Sequence, residues 1–275
     1  MQATDAGLRQ VAAAAALQPT ATDPPTVTGT IDAADTLAAA RTVLSQAAVE
    51  PPQNSINASV LRAVTTAAGL LAKELASVAL GEDTADLVED RQRVESGTGP
   101  HPPSTIVHGT GAYVGTWWTP RGDFHEFIRG TINPDLYSNG QYFQWSGKYS
   151  ARHRDVAAQR LLDWAAPYDG RIRRLFAHSY GGVIALRALG LGLKVEDLVL
   201  LSTPAERVET NWSAAGRIRS LRIHVDLVLL TARRRQIFDL PVAEFHLPKW
   251  FVGHSDSRAV DVWQQHDVAR ILELT

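Results

Sequence analysis

Ser179 lies in the stretch RIRRLFAHSYGGVIAL, Arg171 to Leu186, which reads as a buried strand, a sharp turn and a helix in immediate succession. Ala177 and Gly181 flank it two residues away on either side, with His178 and Tyr180 between, so the pattern is small-x-Ser-x-Gly. A strand that reverses into a helix within about two residues strains the central residue and leaves room only for small flanking residues. Such an elbow holds a hydroxyl above a helix N-terminus, where unpaired N–H groups and the helix dipole favour negative charge. The chemistry this implies is nucleophilic attack by Ser179. The alternative is a plain loop serine beside a Gly181-Gly182 turn, and the strand-to-helix context favours the nucleophile.

A serine hydroxyl is a poor nucleophile near neutral pH and needs a base, here a histidine held in one tautomer by a carboxylate. Of the nine histidines, His254 is preferred, because Gly253-His254-Ser255-Asp256 follows the last expected strand and precedes the last helix. His246 and His266 are its competitors. The carboxylate chosen is Asp226, at the end of LRIHVD, with Asp239 as the replacement; Asp256 is too near His254 in sequence to orient its ring. The order Ser179, Asp226, His254 is the one expected when an elbow serine comes first.

The loop His108-Gly109-Thr110-Gly111 follows a short strand, Ser104–His108, and reads either as an ordinary turn or as an oxyanion loop. In the second reading the N–H of Thr110, with Gly109 as the alternate, donates to an oxyanion together with the N–H of Tyr180. Gly109, Gly111, Trp117 and Trp145 are the substrate-contact candidates, since aromatic side chains lining a cleft suit an apolar acyl or aromatic group. The alternative for the two tryptophans is anchorage in the core.

The elements that must position these residues occupy the second part of the chain. Leu136–Trp145 contains one or two strand candidates, and Ser150–Ala166 reads as an amphipathic helix. Arg171–Ala177 is the elbow strand and Tyr180–Gly190 its helix. Val195–Leu201, Ile218 through Asp226, and Glu244–Val252 supply further strands, and Arg258–Leu274 reads as the closing helix. Near-continuous apolar strands alternating with helices predict a mostly parallel sheet covered by helices on both faces, an α/β class. In such a sheet sites form at the carboxyl ends of the strands, where Ser179, the 108–111 loop, Thr203, Asp226 and His254 all fall.

The first part differs in kind. Residues 1–100 hold 6 Lys+Arg against 12 Asp+Glu, whereas residues 101–275 hold 21 against 17 together with every Trp, Tyr and Phe. Helices are expected over Asp5–Leu17, Ile31–Val49 and Asp83–Val94, and most clearly around Val60, Val64, Leu71, Leu75 and Val78, which form one apolar stripe. The expected division is an Ala-rich helical region, 1–97, and a second domain, 98–275, joined near SGTGPHPP. The stripe needs burial, so this region is expected to pack on the second domain or to serve self-association or partner contact. A lid or membrane-contacting role is the alternative.

Composition narrows the classes of partner. A net charge of −2 gives no global reason to expect nucleic acid. The absence of Cys removes disulfides, cysteine catalysis and thiolate metal sites. No metal or cofactor is expected: His153 and His178 lack ligand spacing, and Arg233-Arg234-Arg235 reads as a solvated turn. No apolar run is long enough to span a membrane. VAAAAAL at 11–17 makes an unconvincing signal peptide, so a cytoplasmic location is expected, with secretion as the alternative.

HGTG at 108–111, AHSYGG at 177–182, LLSTP at 200–204, the late Asp226 and GHSD at 253–256 together resemble the α/β-hydrolase superfamily, within its bacterial lipase and esterase-like branches. The resemblance covers about residues 104–273 and rests on the joint order of the motifs. It implies the α/β-hydrolase fold, acyl transfer to Ser179 through a tetrahedral intermediate held by two backbone amides, and hydrolysis of the acyl-enzyme by water that His254 activates. The expected activity is cleavage of small-molecule or lipid carboxylic esters. Acyl transfer, thioester cleavage on the same site, or a catalytically silent binding domain are the alternatives. Ala177 stands where the family more often has Gly, and the connection from Leu201 to Arg219 is too short for a large cap.

Overall fold

The computed structural model describes residues 102–111, 116–138, 142–148, 150–223, 226, 228–229, 238, 242–247 and 253–275. The helices expected within residues 1–97, Asp239 and the arginine run at 233–235 lie outside the described residues.

Five strands form one parallel sheet in the order of the chain: β1 (Thr105–Val107), β2 (Arg171–His178), β3 (Lys194–Leu201), β4 (Ala215–Arg222) and β5 (Ala243–His246). The register sets Val107 beside Ala177, Ala177 beside Leu200, and Leu201 beside Leu221. The ends of β2 and β3 therefore stop level with one another. Their last residues are buried, because helices cover both faces there, as near-continuous apolar strands require.

On one face α2 (Ala151–Ala165) and α3 (Tyr180–Gly190) pack Leu161, Trp164, Ile184 and Leu189 against Leu175, Ala177, Leu198 and Leu200. On the other, α1 (Asp123–Thr131), α4 (Val260–Gln265) and α5 (Val268–Ile271) pack Phe124, Ile128, Trp263 and Val268 against Ile106, Phe176, Val199 and Leu201. Both cores are closed by large side chains, and Phe124, Phe176 and Leu161 are fully buried.

After β1 the chain runs through α1 to Leu136, which makes one parallel bridge to Ser104, then returns through α2 to β2. Since β2 occupies one edge of β1, Leu136 lies on the other. The connection from β1 to Leu136 and the one from Leu136 to β2 thus run in opposite directions and on opposite faces, a reversal next to which open α/β sheets place their sites, at the carboxyl ends of the strands.

Several boundaries differ from those read in the sequence. Among the described residues of Leu136–Trp145 the sheet gains only the bridge at Leu136, and Trp145 sits in a loop rather than at a strand end. β4 stops at Arg222, short of Asp226. The closing helix is two short helices, because Asp267 takes a left-handed conformation (φ 50) between them. Helix α1 is an element that the sequence reading missed.

Candidate functional site

Ser179 joins β2 to α3 with no intervening residue, and its backbone pays for that with φ 55 and ψ −131, a region that residues other than glycine rarely occupy. The conformation is pinned on both sides: the Ser179 N–H donates to the Leu201 carbonyl (2.8 Å), and its own carbonyl accepts from Gly182 N–H (2.9 Å). The need for Gly181 is direct. A Cβ there would come within 2.4 Å of the Val107 carbonyl oxygen and 2.6 Å of that of His108, so the first turn of α3 rests on the backbone of β1. Ala177 is fully buried in the core beneath α3, and its one methyl fits where the pattern demands a small residue.

The loop after β1 meets this elbow. A Cβ at Gly109 would lie 2.7 Å from the Cβ of Ser179, which brings the loop backbone into contact with the serine. Gly111 takes φ 74, and its N–H is engaged by the Gly147 carbonyl (2.9 Å), which leaves Gly109 and Thr110 as the loop's candidate donors. His108 anchors the loop's base. Its carbonyl accepts from the indole N–H of Trp145 (2.8 Å), its ring stacks on that indole, and its Nδ1–H donates to the Gly109 carbonyl (3.0 Å). Burial lowers the His108 pKa to about 4, so the ring is neutral at neutral pH.

Asp226 and His254 come together across 28 positions of sequence. Nδ1 of His254 donates to Oδ2 of Asp226 at 2.7 Å, and both side chains are buried. The other oxygen of Asp226 accepts the N–H groups of Val228 and Leu229, each at 3.1 Å, so the carboxylate caps the turn that follows it and is fixed in place. With the proton on Nδ1, Nε2 of His254 presents a lone pair. That nitrogen is buried and, among the described residues, has no hydrogen-bond partner. The structure thus forms the Asp226–His254 pair without a hydrogen bond from Ser179 to His254. The ring of His178, the residue before Ser179, lies 4.9 Å from the ring of His254, centroid to centroid, which puts the pair beside the elbow.

The other candidates separate clearly. His246, on the edge strand β5, accepts from Arg222 (2.8 Å). His266 ends α4, and Asp256 accepts the Gly253 N–H in a turn (3.0 Å). Tyr180 is buried at the start of α3, with the guanidinium of Arg154 4.3 Å above its ring. Trp117 and Trp145 are both buried. Trp117 packs edge-on against Phe124 and His178 beneath Arg258, and Trp145 is bound to His108, so each indole makes the core contacts of the second reading given above. Among the described residues no three His, Asp or Glu side chains are grouped to hold a metal, and no helix is long and apolar enough to cross a membrane.

His178 and His108 are the residues at the candidate site whose contacts sequence reasoning passed over. One was the variable position of the elbow pattern and the other the first residue of a turn motif. Their partners, His254 and Trp145, are distant in sequence, so no spacing signals the contacts. Comparison of the chain with protein-family models, with curated proteins and with solved structures gives no match.

Proposed function

We propose that the chain is a serine hydrolase that cleaves carboxylic esters, built as an α/β-hydrolase, with Ser179 as nucleophile, His254 as base and then acid, and Asp226 as the residue that orients it. The observation that carries the reading is the buried Asp226–His254 pair, whose Nε2 has no partner among the described residues, beside a serine in a strained strand-to-helix turn. Elbow, carboxylate and base follow one another in the order that an elbow nucleophile requires.

In this mechanism the substrate brings Ser179 and His254 into hydrogen-bond reach, a contact often loose in the free enzyme. Oγ attacks the ester carbonyl carbon as Nε2 takes its proton. Asp226 stabilises the imidazolium and stays ionised. The oxyanion is received by the N–H groups of Tyr180 and Thr110, the first at a helix N-terminus whose dipole favours the charge. Collapse expels the alcohol, which receives the proton from Nε2. Water then attacks the acyl-serine and gives its proton to His254; as the carbonyl re-forms, the Ser179 C–O bond breaks, Nε2 returns that proton to Oγ, and the acid leaves.

The test is hydrolysis of p-nitrophenyl esters by wild type and Ser179→Ala. Turnover is expected to vanish in the variant with the fold intact, and full residual turnover would contradict the assignment. The unmade Ser179–His254 bond also suits a silent binding domain of the same fold, and reaction of wild type with a fluorophosphonate separates the two. Alcohols or thioesters supplied as competing substrates distinguish hydrolysis from acyl transfer and thioester cleavage.

A further inference from the structure

We propose that His178 is a positioning residue that fixes the nucleophile, the base and the oxyanion loop relative to one another through a single buried imidazole. The inference rests on the triad reading above and assigns its geometry to a fourth side chain.

His178 is the last residue of β2, so its backbone leads directly into the strained Ser179. Its Nε2 lies 3.2 Å from the main-chain carbonyl oxygen of His254. A carbonyl only accepts, so Nε2 carries the proton and Nδ1 the lone pair. On that second side the ring abuts the oxyanion loop: a Cβ at Gly109 would lie 3.2 Å from Nδ1. One ring therefore touches all three parts of the site, which come from β1, β2 and the loop before α4.

The remaining surroundings hold the ring still. Trp117 packs edge-on against it at 5.5 Å between centroids, and the Arg258 guanidinium lies over that indole at 4.4 Å. Burial, reinforced by the neighbouring His254 and Arg258, lowers the His178 pKa well below its ordinary value. The ring stays a neutral donor while His254 cycles through its charged form, and it adds no competing positive charge beside the base. This bond ties the base's backbone to the end of β2, at the centre of the sheet.

The experiment compares His178→Met with His178→Gln in the full chain. The two side chains match in length and flexibility, and only Gln offers an N–H near the former Nε2. Melting temperature, ester kcat and KM, and the rate of fluorophosphonate labelling are measured for both and for wild type. The Met variant is expected to lose about tenfold or more in kcat and labelling rate with KM within about twofold, as misplacement of a catalytic group predicts. The Gln variant is expected to recover at least about fivefold of that loss. Equal kcat in the two variants, or wild-type kcat in the Met variant, overturns the inference while leaving the triad reading intact. Failure of wild type to react at Ser179 overturns the triad reading itself.

Discussion

At Ser179 the side chain that would do the chemistry and the backbone that holds it make opposing demands. The positive φ is stable only because neighbouring hydrogen bonds impose it, at a cost of about 1–3 kcal/mol. Ser179→Gly is therefore expected to abolish turnover and raise the melting temperature by roughly 2–4 °C, about 1 kcal/mol for a domain of this size. A thermal scan beside an ester assay checks both. Asp226→Asn reverses the hydrogen-bond preference at Nδ1 and is expected to lower kcat by roughly 10⁴ with little change in KM. His108 supplies the pH dependence. Its pKa in the folded protein, about 4, lies below the ordinary 6.5, so the unfolded chain binds the extra proton first. Stability is retained above pH 6.5 and lost as pH falls towards 4. Between pH 7 and 5 this single group accounts for about 2 kcal/mol, and urea unfolding of wild type against His108→Asn should show a flatter profile in the variant.

Among the elements, the contact of α3 with β1 controls how closely the nucleophile approaches the oxyanion loop. A methyl on Gly181 meets backbone rather than a movable side chain, so Gly181→Ala is expected to destabilise the fold by at least about 1–3 kcal/mol and to depress activity further by displacing Ser179. Equilibrium unfolding and ester kinetics measure the two effects separately. The elements best read in the sequence were those with a strong and uninterrupted signal. β2, β3 and α3 are buried on nearly every side, and their apolar runs end at turn residues. Helix α1 escaped notice because nine residues rich in polar side chains carry only Phe124, Phe127 and Ile128 to mark its inner face. The apolar run after Ile218 suggested a strand reaching Asp226, yet β4 ends at Arg222, and the Asp226 carboxylate is spent on capping the backbone of 228–229. The choice of Asp226 and His254 as a pair rested on their place in the chain, while the turn that fixes Asp226 depends on side-chain bonds that periodicity does not report.

Over the whole molecule the sheet is bound together by charge as well as by its two apolar layers. Asp197, buried in β3, pairs with Arg174 of β2 (2.9 Å) and with Arg219 of β4. Those arginines reach on to the carbonyls of Leu274 and Glu273, which clasps the end of the chain to the central strands. Asp197→Ala leaves both cations without this partner and is expected to cost about 3–5 kcal/mol in urea unfolding, far more than an exposed pair would. The α/β class, the parallel sheet and its double covering were legible from alternating buried strands and helices. The reversal of direction after β1 was not, because a lone bridge at Leu136 leaves no pattern in the sequence. Beside that reversal Ser179 and the 108–111 loop meet, with His254 and Asp226 next to them. The claim that these residues form a serine-hydrolase site is tested most directly by treating wild type and Ser179→Ala with a fluorophosphonate and locating the adduct by mass spectrometry. The account predicts one adduct, on Ser179, and none in the variant; an unlabelled wild-type protein, or a variant labelled as fully as wild type, would contradict it.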